Sequence, residues 1–313
     1  MPLPAATVQH YDAVQRIAAV ALAGLASAWG RMGPDFDATY AGIAPGLVAL
    51  TRAAKTAAAA SGARSIAPAL AEQDIARRAV VDVVPAQWSR YTADGRTIEG
   101  LLDIGVITAK RAAERGFPPG LSLAAAQDRL AAAIQTEISD AGRSAAMAQM
   151  VATPRTGWTR VVNPPCCGRC AVLAGRFYPW SSGFARHPRC DCTMTPSTEG
   201  DARAVVTTPQ SLYEAMSEAD RCKAFTVAGA RAIADGADIG AVVNARRGMT
   251  VVGSSVSADG LVVRRGRVTS GAATTERATR GQPRRLTPEG IYARAGADRD
   301  EAVRLLVANG YAR

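Results

Sequence analysis

Apolar residues recur at helical spacing through the first 150 positions. Val14, Ile17, Ala18, Ala21, Leu22 and Leu25 share one face of a helix that Gly33-Pro34 should close. A second helix is predicted over 37–61, with Gly42, Pro45 and Gly46 as possible breaks. A third is predicted over 68–91, with Ile75, Ala79, Val83 and Trp88 on similar faces and Pro85 as its kink or stop. Thr97 to Arg115 reads as a fourth, ended by Gly116-Phe117-Pro118-Pro119-Gly120. Ser122 is expected to cap a long helix reaching Met150. Its stripe is Leu130, Ile134, Ile138, Ala141 and Ala145, with Arg143 on the exposed side.

The pattern changes after residue 150. Trp158 to Val162 is β-prone, Gly175 to Trp180 resembles a second short strand with a turn, and Cys192 to Thr195 a third. Helical spacing returns over 207–248, opened by Thr208-Pro209, a good cap and first-turn pair. Arg246-Arg247-Gly248 reads as the end of that segment: cations favour the helix C-terminus and Gly suits the position beyond it. Residues 250–285 are rich in Gly, Ser, Thr and Arg and read as a flexible basic linker. Thr287-Pro288-Glu289 opens a terminal hairpin with Ile291 and Tyr292 on one helix and Ala302, Val303, Leu305 and Leu306 on the next, stopping at Gly310. The expected fold is mainly α. Its parts are a helical N-terminal domain over 1–150, a small irregular α+β zinc-held module over 151–200, helices over 201–249, the linker over 250–285 and the hairpin over 286–313.

The chain has 313 residues, 48% of them hydrophobic but only 5% aromatic, so alanine carries much of the apolar content. Basic residues outnumber acidic ones, 37 to 27, for a net charge of +10. That excess fits a nucleic acid, an anionic surface or an acidic partner, and equally an Arg- and Ala-rich coding bias. Met1 is followed by Pro-Leu-Pro-Ala-Ala without a basic n-region, so no signal peptide is expected. The apolar run from Ile17 to Trp29 is too short to span a bilayer, so no membrane association is expected. In a reducing cytoplasm, clustered cysteines are metal ligands more often than disulfides.

Five of the six cysteines and one of the two histidines fall between Cys166 and Cys192. Cys167-x2-Cys170 has knuckle spacing, and Gly168 relieves steric limits on the turn. In an extended segment, Cys190-x-Cys192 puts both side chains on one face. His187 lies close enough to compete for a ligand position. Cys167 and Cys170 are therefore expected to bind zinc with two of His187, Cys190 and Cys192. Cys166 is the weaker member of its tandem pair, and Cys222 reads as a core residue. The donor supply exceeds four and only Asp191 is adjacent as an acid, so a structural site is favoured over a catalytic one. Chelation should then unfold 157–196 and spare the N-terminal helices.

Thr136-Glu137, Gly157-Trp158, Cys167-x2-Cys170, Leu173-x-Gly175-Arg176-Phe177-Tyr178 and His187-Pro188-x-Cys190-x-Cys192-Thr193 together resemble the phage Mu F-like minor head proteins. The added Cys-x2-Cys pair is similar to forms in phages and prophages of actinobacteria. Val243 to Met249 and the stretch from Arg285 to Tyr311 also look like that group. The resemblance covers about 120–313 and, more loosely, the N-terminal helices. It implies a virion morphogenesis protein present in few copies at the portal vertex and head interior, with the portal protein or major capsid protein as partner. Its expected location is the virion, and the host cytoplasm during assembly. Some family members carry C-terminal toxin or enzyme domains, for which this tail has no room.

Two other functions compete. A capsid maturation protease or other assembly factor is the first. A protease needs a histidine base, and the only histidines are His10, in a predicted helix, and His187, in the cysteine cluster. A non-enzymatic role is therefore expected. The second is zinc-dependent, non-specific DNA binding. Arg155, Arg160, Arg169, Arg176, Arg186 and Arg189 flank the cluster, with Trp158, Phe177, Tyr178 and Trp180 available for stacking. Such contact with packaged DNA would be steeply salt-dependent.

Overall fold

The structure is a computed structural model that describes residues 3–190, 192–200, 207–245, 254–256, 262–264 and 286–312. It is mainly helical, with a small antiparallel sheet and a cysteine-rich segment. The chain divides into two compact units: Met1–Val161 with Gly175–Val206, and Val162–Ala174 with Thr207–Arg313.

The first unit is built on four helices: α1 (Ala5–Trp29), α2 (Phe36–Ala71), α3 (Ile98–Glu114) and α4 (Pro119–Val151). The predicted stripes face inward. Val14, Ala18, Ala21 and Leu25 of α1 join Leu130, Ile134 and Ile138 of α4 in one buried cluster, with Ile17 and Leu22 at its margin. Helix α2 runs unbroken through Gly42, Pro45 and Gly46, because Ile43 and Leu47 on the same turns are buried in that cluster. Tertiary burial outweighs the local penalties here.

Alanine and glycine let α2 and α4 approach closely. Ala59 packs against Ala141 and Ala145. A Cβ placed on Gly62 would collide with the Gly142 carbonyl oxygen and lie 3.3 Å from the Ala146 nitrogen. One on Gly142 would lie 3.2 Å from the His10 ring and 3.4 Å from the Ala58 carbonyl. His10 is therefore wedged where α1, α2 and α4 cross, 4% exposed, with Nδ1 2.9 Å from Ser61 Oγ. Burial, reinforced by the nearby Arg143 cation, pushes its pKa down to about 4.

The helix expected over 68–91 is not present. Helix α2 ends at Ala71, and Asp74 adopts a left-handed backbone conformation with φ 58°. The β-branched run ending in Val84-Pro85 then crosses the α2–α4 seam as an irregular strap. Val80 N–H donates to Ala152 O at 2.8 Å, and Trp88, in a short 3₁₀ turn over Pro85–Ser89, packs on Ala59, Ala141 and Ala145. Lys55 Nζ donates to Tyr91 O at 2.8 Å and to Glu137 at 2.5 Å, a buried ion pair that fixes the end of the strap. Ser122 is not a cap: α4 starts at Pro119, and Ser122 lies buried inside it, donating to Phe117 O.

After α4 comes a three-stranded antiparallel sheet ordered β2-β1-β3: β1 (Gly157–Val161), β2 (Phe177–Pro179) and β3 (Thr193–Ser197). Every residue of β1 and β3 is buried. Strand β3 meets the helices through Thr195 Oγ1, 2.9 Å from Thr7 Oγ1, and through Pro196 O, which accepts from Gln73 Nε2.

The second unit carries α5 (Gly168–Ala171), α6 (Pro209–Ala215), α7 (Glu218–Phe225), α8 (Val227–Ala234), α9 (Ile239–Asn244) and a terminal pair, α10 (Pro288–Ala295) and α11 (Arg299–Ala308). Thr208, Ser217, Thr226, Asp238, Thr287 and Asp298 cap helices here. Tyr311 closes the terminal pair by donating to Leu286 O at 2.8 Å. Between α9 and α10 the described residues form an antiparallel ladder, β4 (Ser254–Val256) with β5 (Val262–Arg264). The rest of the expected basic linker, and Arg246-Arg247-Gly248, lie outside the described residues.

Two outcomes follow from the helix crossing. Gly62→Ala should destabilise by about 1–3 kcal/mol or more, because its methyl meets backbone that cannot yield; urea denaturation measures this. His10 should make folding acid-sensitive. The unfolded chain takes up a proton through 6.5, whereas the folded chain resists until about 4. Stability should be full above pH 6.5 and fall by about 3 kcal/mol towards pH 4. His10→Gln should flatten that part of the stability–pH curve.

Candidate metal centre

The cysteine segments are held by local geometry on both sides. Cys167 caps α5, and its Sγ accepts from Cys170 N–H at 3.4 Å, the knuckle turn expected from C-x2-C spacing. Gly168 is needed there for close approach: a Cβ would lie 2.8 Å from Ala224 O and 3.1 Å from Val243. The second segment turns at His187-Pro188-Arg189, where Cys190 N–H donates to His187 O at 3.1 Å and Arg189 has φ 61°. Thr136 on α4 steadies the turn by accepting from Arg189 N–H at 3.1 Å.

Arg143 corrects the sequence reading most sharply. It is 4% exposed rather than solvent-facing, and its Nη1 donates to both Cys190 O, at 3.0 Å, and Cys192 O, at 2.9 Å. Its Nη2 donates to Asp140 Oδ1 at 2.6 Å, and Asp140 also pairs with Arg186. One carboxylate thus faces two guanidiniums. Thr136, Asp140 and Arg143 lie at i, i+4 and i+7, one polar stripe in an alanine-rich helix, and that spacing was the available signal.

Arg160 is a second correction, since it is not a solvated cation available to DNA. It is 2% exposed, donates to Ala185 O at 2.8 Å, and approaches Cys190 Sγ at 3.8 Å. Its guanidinium lies 4.1 Å from the Phe184 ring centroid, and Phe184 stacks on Trp158, which stacks on Tyr178. Trp158 is therefore spent inside the fold, while Trp180 is 55% exposed. Arg160 places positive charge at a sulfur that must be a thiolate to bind metal.

Among the described residues, two overlapping donor sets have all ligand atoms within 4.8 Å of one another. They are Cys167, Cys170 and His187, and Cys170, Cys190 and Cys192. All five sequence-predicted ligands fall in these sets, and Cys170 is common to both. Cys166 and Cys222 are in neither, and Cys222 is half-buried rather than a core residue. Asp191 lies outside the described residues. In a tetrahedral thiolate site with metal–sulfur bonds of ~2.3 Å, sulfurs sit about 3.8 Å apart, so the spacing and soft donor chemistry fit a bound metal. The cluster can hold a metal ion.

The VG15 protein family model matches residues 4–219, and the chain belongs to that family, one of phage type. The matched span includes all five donors. No curated protein and no solved structure matches the chain. Among the described residues, no helix is long and apolar enough to cross a membrane.

Arg143→Leu should strip two carbonyl contacts from the cysteine strap and leave Asp140 with Arg186 alone. Breaking a buried pair costs about 3–5 kcal/mol. Chemical denaturation should show that loss, with faster hydrogen exchange at Cys190 and Cys192. A chelator should raise exchange over 187–197 while α1 to α4 stay protected; unchanged exchange would show that metal does not support this segment.

Proposed function

We propose that this chain is a minor head protein of a phage particle, of the Mu F-like kind, acting in head morphogenesis at the portal vertex. The observation that carries the reading is the phage-type family match, which spans the helices and the whole donor cluster. The cluster supports zinc as the metal, in a structural role. The donor atoms are thiols and one imidazole, three of the thiols are buried, and the five donors exceed the four that a closed tetrahedral site needs. Zinc would contribute folding free energy to a segment with little apolar content of its own.

A non-enzymatic role is part of the proposal. The His10–Ser61 contact resembles a base and nucleophile in composition only. His10 is buried, holds its pKa near 4, and feels Arg143 rather than an orienting carboxylate. Partners would be the portal or major capsid protein, with the virion as location. Non-specific contact with packaged DNA is a secondary reading, and the burial of Arg160 and Trp158 weakens it.

Quantitative mass spectrometry of purified particles tests the proposal. A few copies per portal in mature heads is the expected result. Presence in precursors alone, beside uncleaved capsid protein, would favour an assembly factor or protease instead.

A further inference from the structure

A cleft of about 210 Å³ opens in the first unit beside α3 and α4, next to the turn that carries His187. Three arginines reach it from separate elements: Arg96 from the turn before α3, Arg129 from α4 and Arg186 from the loop before β3. Its apolar lining is Leu101, Ile104, Ala132 and Ala133. We propose that this cleft binds a carboxylate side chain presented by a partner polypeptide.

Charge pairing decides the sign of the site. Asp94 and Glu137 also line it. Asp94 is matched by Arg96 at 2.7 Å, and Glu137 by Lys55 at 2.5 Å. Asp140 must serve both Arg143 and Arg186, so that trio keeps one positive charge in excess. Arg129 is exposed, and its side chain has no hydrogen bond or ion pair among the described residues. Three arginines against Asp94 and Glu137 leave the lining of the cleft one positive charge in excess. Arg186 is already oriented by Asp140, so its fork loses little freedom on gripping a second anion.

Size and lining choose the occupant. The volume lies below the ~300 Å³ at which drug-sized sites begin, which favours a single side chain over a free cofactor. The aliphatic lining suits the methylenes of Glu, with its carboxylate among the arginines. A phosphodiester track would gain nothing from Leu101 or Ile104. The inference stands apart from the virion reading, because it needs only an acidic partner segment.

The test is calorimetric titration of the full chain with N-acetyl-triglutamate amide, inorganic phosphate and a single-stranded oligonucleotide. Triglutamate should bind saturably. Arg129→Gln, which removes an exposed and unpaired side chain, should weaken that binding about tenfold. Arg111→Gln, an exposed change on α3 that does not line the cleft, should leave it unaltered. No saturable triglutamate binding, or binding indifferent to Arg129→Gln, overturns the proposal. Arg129-dependent binding of phosphate or oligonucleotide in preference to triglutamate overturns it too, and assigns the cleft to phosphate chemistry.

Discussion

A single buried guanidinium organises the part of this protein that carries its chemistry. Arg143 projects from α4 and donates to the backbone carbonyls of both Cys190 and Cys192. A buried cation is costly unless paired and fully hydrogen-bonded, and Asp140 on the same helix supplies the pairing. The strap carbonyls accept from Nη1 and Asp140 from Nη2, while the buried Nε has no partner among the described residues. Arg160, from the central strand, repeats the device at the Cys190 sulfur, with its guanidinium against Phe184.

That chemistry depends on how closely α2 and α4 pack. Gly62 and Gly142 remove the side chains that would otherwise separate the helices, and Ala59, Ala141 and Ala145 pack between them, covered by Trp88. With the seam fixed, α4 presents its large apolar residues to the helical core at Leu130, Ile134 and Ile138. Its polar stripe, Thr136, Asp140 and Arg143, is left for the cysteine turn.

Much of this was legible in the residues. Helical periodicity located α1, α3 and α4 and named buried faces of α1 and α4, and the β-prone runs became the three strands of the sheet. The cysteine and histidine spacing named the residues that the fold brings together. Three features were hidden for physical reasons. Burial of Ile43 and Leu47 overrode the breaking tendency of Pro45 in α2. The Val80–Val84 run shared apolar character with a helix face, yet its β-branched residues and Pro85 suit an extended strap. The buried arginines were the deepest misreading: charge is assigned to solvent by default, and only the three-dimensional partners of Arg143 and Arg160 reverse that. The functional class rests on the phage-type family, with the site's chemistry added to it.

The most direct measurement is the zinc content of freshly purified, reduced protein by elemental mass spectrometry. About one zinc ion per chain is expected, lost in Cys170→Ser and Cys190→Ser and retained in Cys166→Ser and Cys222→Ser. Protein that folds with no stoichiometric metal, or metal that survives loss of Cys170, would contradict a zinc centre built from these donors.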